Sequence, residues 1–201
     1  ELGETAEAAT CAVEASDSAL RLGPSAHAYQ ASLFEAVAHL ENGDLAAADR
    51  AIDAVRDHPI PANSRGLLPL RRAMVALARG DSERALSEAR AALAETHEHA
   101  GAWGTTRAQA LLIVLGDAAA RGDVTTASQL QEQLQAVLEA RDVPLLRAFV
   151  GVGEALVLKS REERLRREAE ALAAARDAVL ATVGEGPPAA LRIWRLTRPG
   201  R

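Results

Sequence analysis

One punctuation mark recurs along this chain. A small turn pair stands at Gly3-Glu4, Gly43-Asp44, Gly80-Asp81 and Gly122-Asp123, and a degenerate version stands at Lys159-Ser160. The intervals are 40, 37, 42 and 37 residues. Glycine ends a helix by taking the left-handed conformation without a Cβ penalty. Asp or Ser then caps the next helix, its side-chain oxygen accepting from an orphan amide. Ser160 and Glu163 also have capping-box spacing. A turn of this kind every forty residues leaves room for one helix on each side. The chain is therefore constrained to repeated helical hairpins.

The segments between the turns have the matching period. Leu111, Leu112, Leu115, Ala118 and Ala119 fall on one helical face, and Ala127, Leu130, Leu134, Val137 and Leu138 on the next. Only 2% of residues are aromatic while 48% are hydrophobic, so the core must be Ala, Leu and Val. That composition favours closely packed helices over sheets. Five residues after the first four turns comes an alanine, at Ala8, Ala48, Ala85 and Ala127. Six before the later turns stand Val37, Met74, Gly116 and Gly153. The two glycines lie inside helical runs, where each costs about 1 kcal/mol against Ala, and a close helix crossing is the expected compensation.

In order, helices are expected over 4–22, 25–42, 45–57, 67–79, 82–96, a pair around Gly122, 145–158 and 161–183. Gly23-Pro24 breaks the first. His58-Pro59-Ile60-Pro61 is a linker, because the residue before a proline leaves the α region. Pro69 is tolerable in its helix only in the first turn. His97 to Gly104 is the longest loop. Residues 184–201 follow as a linker and tail. Leu191 to Leu196 alternates like a short strand, the possible opening of another domain, though a frayed basic terminus accounts for it as well.

Leu115-Gly116, Gly122-Asp123 and Ala127 resemble, in that order, the hairpin signature of the tetratricopeptide-repeat family. Ala73-Met74, Gly80-Asp81 and Ala85 repeat it more loosely. The period exceeds the family's usual 34, and its large aromatics are mostly missing. The closest resemblance is to the divergent repeats inside large bacterial transcriptional regulators, and the tail looks like the start of the winged-helix domain found beside such repeats. The resemblance implies an all-α fold over residues 1–183, a right-handed superhelical array of antiparallel hairpins (a TPR-like α-solenoid). It implies a concave face made by first arms, lined here by Phe34, Glu41, Arg71, Val75, Ile113, Asp117, Arg147 and Glu154. A protein or peptide ligand is the partner that face implies, in a regulatory segment without catalysis. Two alternatives stand beside it. One is a free-standing scaffold or adaptor. The other is a small-molecule effector sensor with a pocket near Trp103, Met74 and Ile113.

Other functions find little support in the residues. No nucleophile–base or paired-carboxylate constellation has meaningful spacing, and no phosphate-binding loop, nucleophile elbow or zinc-protease motif occurs. No cofactor and no metal are expected. His97-Glu98-His99 offers two imidazoles and an acid, short of the four ligands of a structural zinc site, and reads as a solvated loop. One cysteine, Cys11, allows no internal disulfide and reads as a small buried hydrophobe. Residues 1–58 carry eleven acids against three arginines, the rest a slight basic excess. Direct nucleic-acid contact is not expected. Residues 159–176 mix six bases with four acids, as on a solvated helix face, with Glu163 and Arg167 spaced for an ion pair. No apolar run would span a membrane, and a cytoplasmic location is expected. An exposed terminal hairpin could pair between copies as a homodimer.

Overall fold

The computed structural model describes residues 2–96, 104–140 and 144–158, together with Glu163, Arg167, Glu170 and Ala174. The described residues are helical, with no strand among them: α1 (Leu2–Arg21), α2 (Ala26–Glu41), α3 (Leu45–Ala54), α4 (Leu67–Ala78), α5 (Ser82–Thr96), α6 (Gly104–Ala120), α7 (Val124–Ala140) and α8 (Pro144–Val157). A 3-10 turn at Ala62–Ser64 stands between α3 and α4. The fold is all-α. No described helix is long and apolar enough to cross a membrane. The His97-Glu98-His99 sequence, Trp103 and the tail fall outside the described residues, as does nearly all of the helix expected over 161–183.

Three of the Gly–Asp turns are built alike. Gly43, Gly80 and Gly122 have φ of 80°, 77° and 73°. In each, the glycine amide donates to the carbonyl three residues back: Leu40 at 3.1 Å, Leu77 at 2.9 Å and Ala119 at 3.1 Å. The following Asp amide reaches five residues back, to His39, Ala76 and Ala118, each at 2.9 Å. That pair of bonds is a Schellman ending. The same aspartate then turns acceptor. Its Oδ1 takes the amide of Ala47 at 2.9 Å, Arg84 at 3.1 Å or Thr126 at 3.1 Å. One two-residue unit thus satisfies orphan carbonyls of one helix and an orphan amide of the next. Gly23 has φ 92°, and Ser25 Oγ caps α2 through Ala28 at 3.1 Å. At Gly3-Glu4 the expected turn is absent: both residues lie inside α1.

Consecutive helices pack on each other throughout, and α2, α4, α6 and α8 also pack in series, α2 on α4, α4 on α6 and α6 on α8. The helices in this series are buried on several sides. In α6, Ala110 through Gly116 are all buried. Three of the alanines placed five residues after a turn face inward: Ala48 and Ala85 are fully buried, Ala127 nearly so.

Of the two helical glycines that stand six residues before a turn, Gly116 and Gly153, one is closely packed. A Cβ on Gly153 would stand 2.8 Å from Leu134 Cδ2 and closer still to Gln131 Oε1, so these two α7 side chains close directly over the α8 backbone. A Cβ on Gly116 would meet nothing nearer than Leu156 Cδ1 at 4.0 Å, ordinary contact. Gly66 supplies a second close approach, against Ala92, Thr96 and Thr106. It also begins α4, where no side chain caps the helix, so packing sets that start.

The 58–61 linker is tied down on its far side. Tyr29 Oη donates to the Ser64 carbonyl at 3.3 Å and Gln30 Nε2 to Ser64 Oγ at 3.0 Å, fixing the 3-10 turn to α2. The α3 helix ends at Ala54, before the expected 57, because Val55 turns out of the helical region (φ −107°, ψ 9°). Cys11 is exposed, contrary to expectation. The side of α1 that meets α2 carries Ala9 and Ser16, seven residues apart, and Cys11 lies round the helix from them. Ser16 Oγ and Ser32 Oγ bond at 2.8 Å within that buried contact.

Candidate functional site

The eight residues expected on one face occur in pairs on α2, α4, α6 and α8, the helices that pack in series. Their exposures differ sharply. Phe34 is 59% exposed, an unusual place for one of only two phenylalanines. Arg147 is also exposed. Val75 at 3% and Ile113 at 5% belong to the core and present no surface. Glu41, Asp117 and Glu154 are half-buried. Asp117 pairs with Arg121 one turn on, and Glu154 accepts from Arg167 Nη2 at 2.9 Å. Arg167 also donates to Glu170 at 3.3 Å. Met74, expected beside an effector pocket, is 1% exposed and packed with Ile113 in the core.

Arg71 is the exception among these charges. It is only 9% exposed. Nη1 donates to Met74 Sδ at 3.2 Å, and Nε has no hydrogen-bond partner. Burial pushes its pKa down to about 10, and the negative charge of Glu41 opposes that shift. A buried guanidinium stays charged at neutral pH. It therefore needs Glu41 as a counter-charge within the α2–α4 contact.

A second constellation lies on another side of α4. A cleft of about 340 Å³ opens where α3 and α5 flank α4. Asp49, Ile52, Asp53 and Arg56 line it from α3 and the residues just after it, at helical spacings of three and four. Arg72 faces it from α4 and Arg79, seven residues on, from the cap of that helix, and Arg84 and Glu88 face it from α5, four apart. Ile52, 2% exposed, belongs to the core beneath the charged wall. Arg56 Nη2 bonds Asp53 at 2.7 Å, and Arg79 is paired with Asp49. Arg72 and Arg84 make no side-chain hydrogen bond or ion pair among the described residues.

The cleft escapes a linear reading because its walls come from three helices spread over forty residues. The one local signal is the Arg72–Arg79 heptad spacing, which points two arginines the same way. Among the described residues, no three His, Cys, Asp or Glu side chains cluster as a metal site. Comparison of the chain with protein-family models, with curated proteins and with solved structures finds no match.

Proposed function

We propose that this chain is a protein-binding helical-repeat segment, an array of antiparallel hairpins with a right-handed superhelical course, acting within a bacterial transcriptional regulator. The observation that carries the repeat reading is the turn geometry. The same Schellman ending and aspartate cap recur at Gly43-Asp44, Gly80-Asp81 and Gly122-Asp123, while every second helix packs on the next but one. Stacked units of that kind bury their stripes between neighbours and leave extended faces free for partners. The regulator role rests on the resemblance of the hairpin signature, and fold alone does not supply it. Catalysis forms no part of the proposal.

Phe34 and Arg147 are the exposed members of the expected face and are the residues to test. The tagged full-length protein is recovered from its native cells, with Phe34→Asp and Arg147→Glu beside the wild type. Quantitative mass spectrometry should find proteins retained by the wild type and depleted by both variants, with helicity unchanged. Identical recoveries from all three would overturn this face. The reading frame that encodes the chain is the second test. A DNA-binding domain in it supports the regulator role, and a frame without one favours the adaptor alternative.

A further inference from the structure

We propose that the cleft between α3, α4 and α5 is a carboxylate-binding site, and that its occupant is an acidic segment of a partner polypeptide. Of its four arginines, Arg56 and Arg79 are neutralised by Asp53 and Asp49. Those two pairs brace the wall. Arg79 Nη2 also reaches the Leu45 carbonyl at 3.5 Å, so it is held from α3 on both counts. Arg72 and Arg84 carry their charges into the same cleft, from different helices, without a partner among the described residues. Glu88 is the remaining acid, one turn beyond Arg84. Two open guanidinium groups beside braced pairs form a receptor for a planar anion, because the guanidinium fork matches a carboxylate in bidentate geometry.

The three acids decide which anion. A nucleic-acid backbone brings a row of phosphates and would meet Asp49, Asp53 and Glu88 as well as the arginines. A single carboxylate engages Arg72 and Arg84 and leaves those acids alone. A volume of about 340 Å³ lies at the small end of ligand sites, enough for a side chain or two. The choice of a polypeptide source rests on the protein-binding reading above. The site itself lies on other helices than Phe34 and Arg147.

The test is fluorescence anisotropy with a labelled hexaglutamate peptide and its hexaglutamine counterpart, at low and at physiological salt. Hexaglutamate should bind and hexaglutamine should not. Arg84→Gln should weaken binding about tenfold or more, as loss of a charged hydrogen-bonding partner does. Arg72→Gln should act in the same direction. Arg90→Gln, an exposed arginine of α5 outside the cleft, should leave the affinity alone. Arg84 is exposed, so its variant should keep the wild-type melting curve. Equal affinity for both peptides, or no change in Arg84→Gln, would overturn the site. Succinate binding as tightly as the peptide would assign the cleft to a small dicarboxylate and overturn the polypeptide. Tighter binding of a single-stranded oligonucleotide would overturn the carboxylate. If hexaglutamate fails while Phe34→Asp still releases partners, this inference falls and the protein-binding reading stands.

Discussion

Tyr29 Oη donates to the Ser64 carbonyl at 3.3 Å across thirty-five residues of chain. It is the chain's single tyrosine, and it is fully buried. Burial holds the phenol protonated and pushes its pKa from 10.0 to about 12. The folded state thus keeps its proton at a pH where the unfolded chain has lost it. Stability is whole below about pH 10 and declines as pH rises towards 12. Tyr29→Phe should lose about 1 kcal/mol at neutral pH through the missing hydrogen bond. It should also flatten the alkaline decline, read as the difference between wild type and variant in urea unfolding. Because no other tyrosine is present, the tyrosinate absorbance of the wild type reports the same titration directly. A midpoint near 10 would refute the burial of the phenol.

Gly116 and Gly153 should respond oppositely to alanine. At Gly153 the new methyl would meet Leu134 Cδ2 at 2.8 Å and the Gln131 side chain nearer still. Overpacking of this kind costs about 1–3 kcal/mol and outweighs the gain of about 1 kcal/mol in helix propensity. At Gly116 the methyl would sit 4.0 Å from Leu156 Cδ1, so propensity alone acts. Gly116→Ala should therefore raise the melting temperature and Gly153→Ala should lower it. Thermal unfolding of the two variants separates a glycine required by packing from one that is not.

The turn unit makes a separable prediction. A Cβ on Gly80 would meet nothing within 4 Å, so Gly80→Ala tests the φ of +77° alone, at about 1–2 kcal/mol. Asp81→Ala keeps the backbone and removes the cap on α5, for about 1 kcal/mol. At the next turn, hydrogen bonds from the Thr126 side chain and amide hold the Asp123 carboxyl below its ordinary range. That contribution is present above the unfolded pKa of 3.8 and is lost as pH falls through the lower folded value. Asp123→Asn can still accept the amide of Thr126 but cannot titrate. Its acid-unfolding curve should lose this part of the decline, and an unchanged curve would remove Asp123 from the account.

What the sequence discloses about this fold follows from the range of the forces involved. Helix ends set by caps are local, and α5 runs over the expected Ser82–Thr96 because Asp81 and Thr96 act within one turn. The end of α3 is not capped by a side chain, and its boundary moved by three residues. Periodicity shows which side of a helix meets its own hairpin partner. It does not show what the next hairpin covers. Val75 and Ile113 lie on α4 and α6, which pack across hairpins as well as within them, and both are buried. Phe34 lies on α2, which has fewer neighbours, and remains exposed. The arginine cleft depends on three helices meeting and is invisible until they do.

Arg71 changes meaning most. Read as a concave-face contact, Arg71→Glu should weaken partner binding with helicity intact. In the structure the side chain is buried beside Glu41, and its charge is tolerated there because of that carboxylate. Arg71→Glu would place a second negative charge against Glu41 where water cannot screen it. The expected loss is roughly 3–5 kcal/mol, the scale found when one partner of a buried pair is removed. Arg71→Met together with Glu41→Gln removes both charges at similar volume and should be far milder. Urea unfolding of the two variants decides the matter. A fully stable, fully helical Arg71→Glu protein would return Arg71 to the surface and restore it as a contact residue.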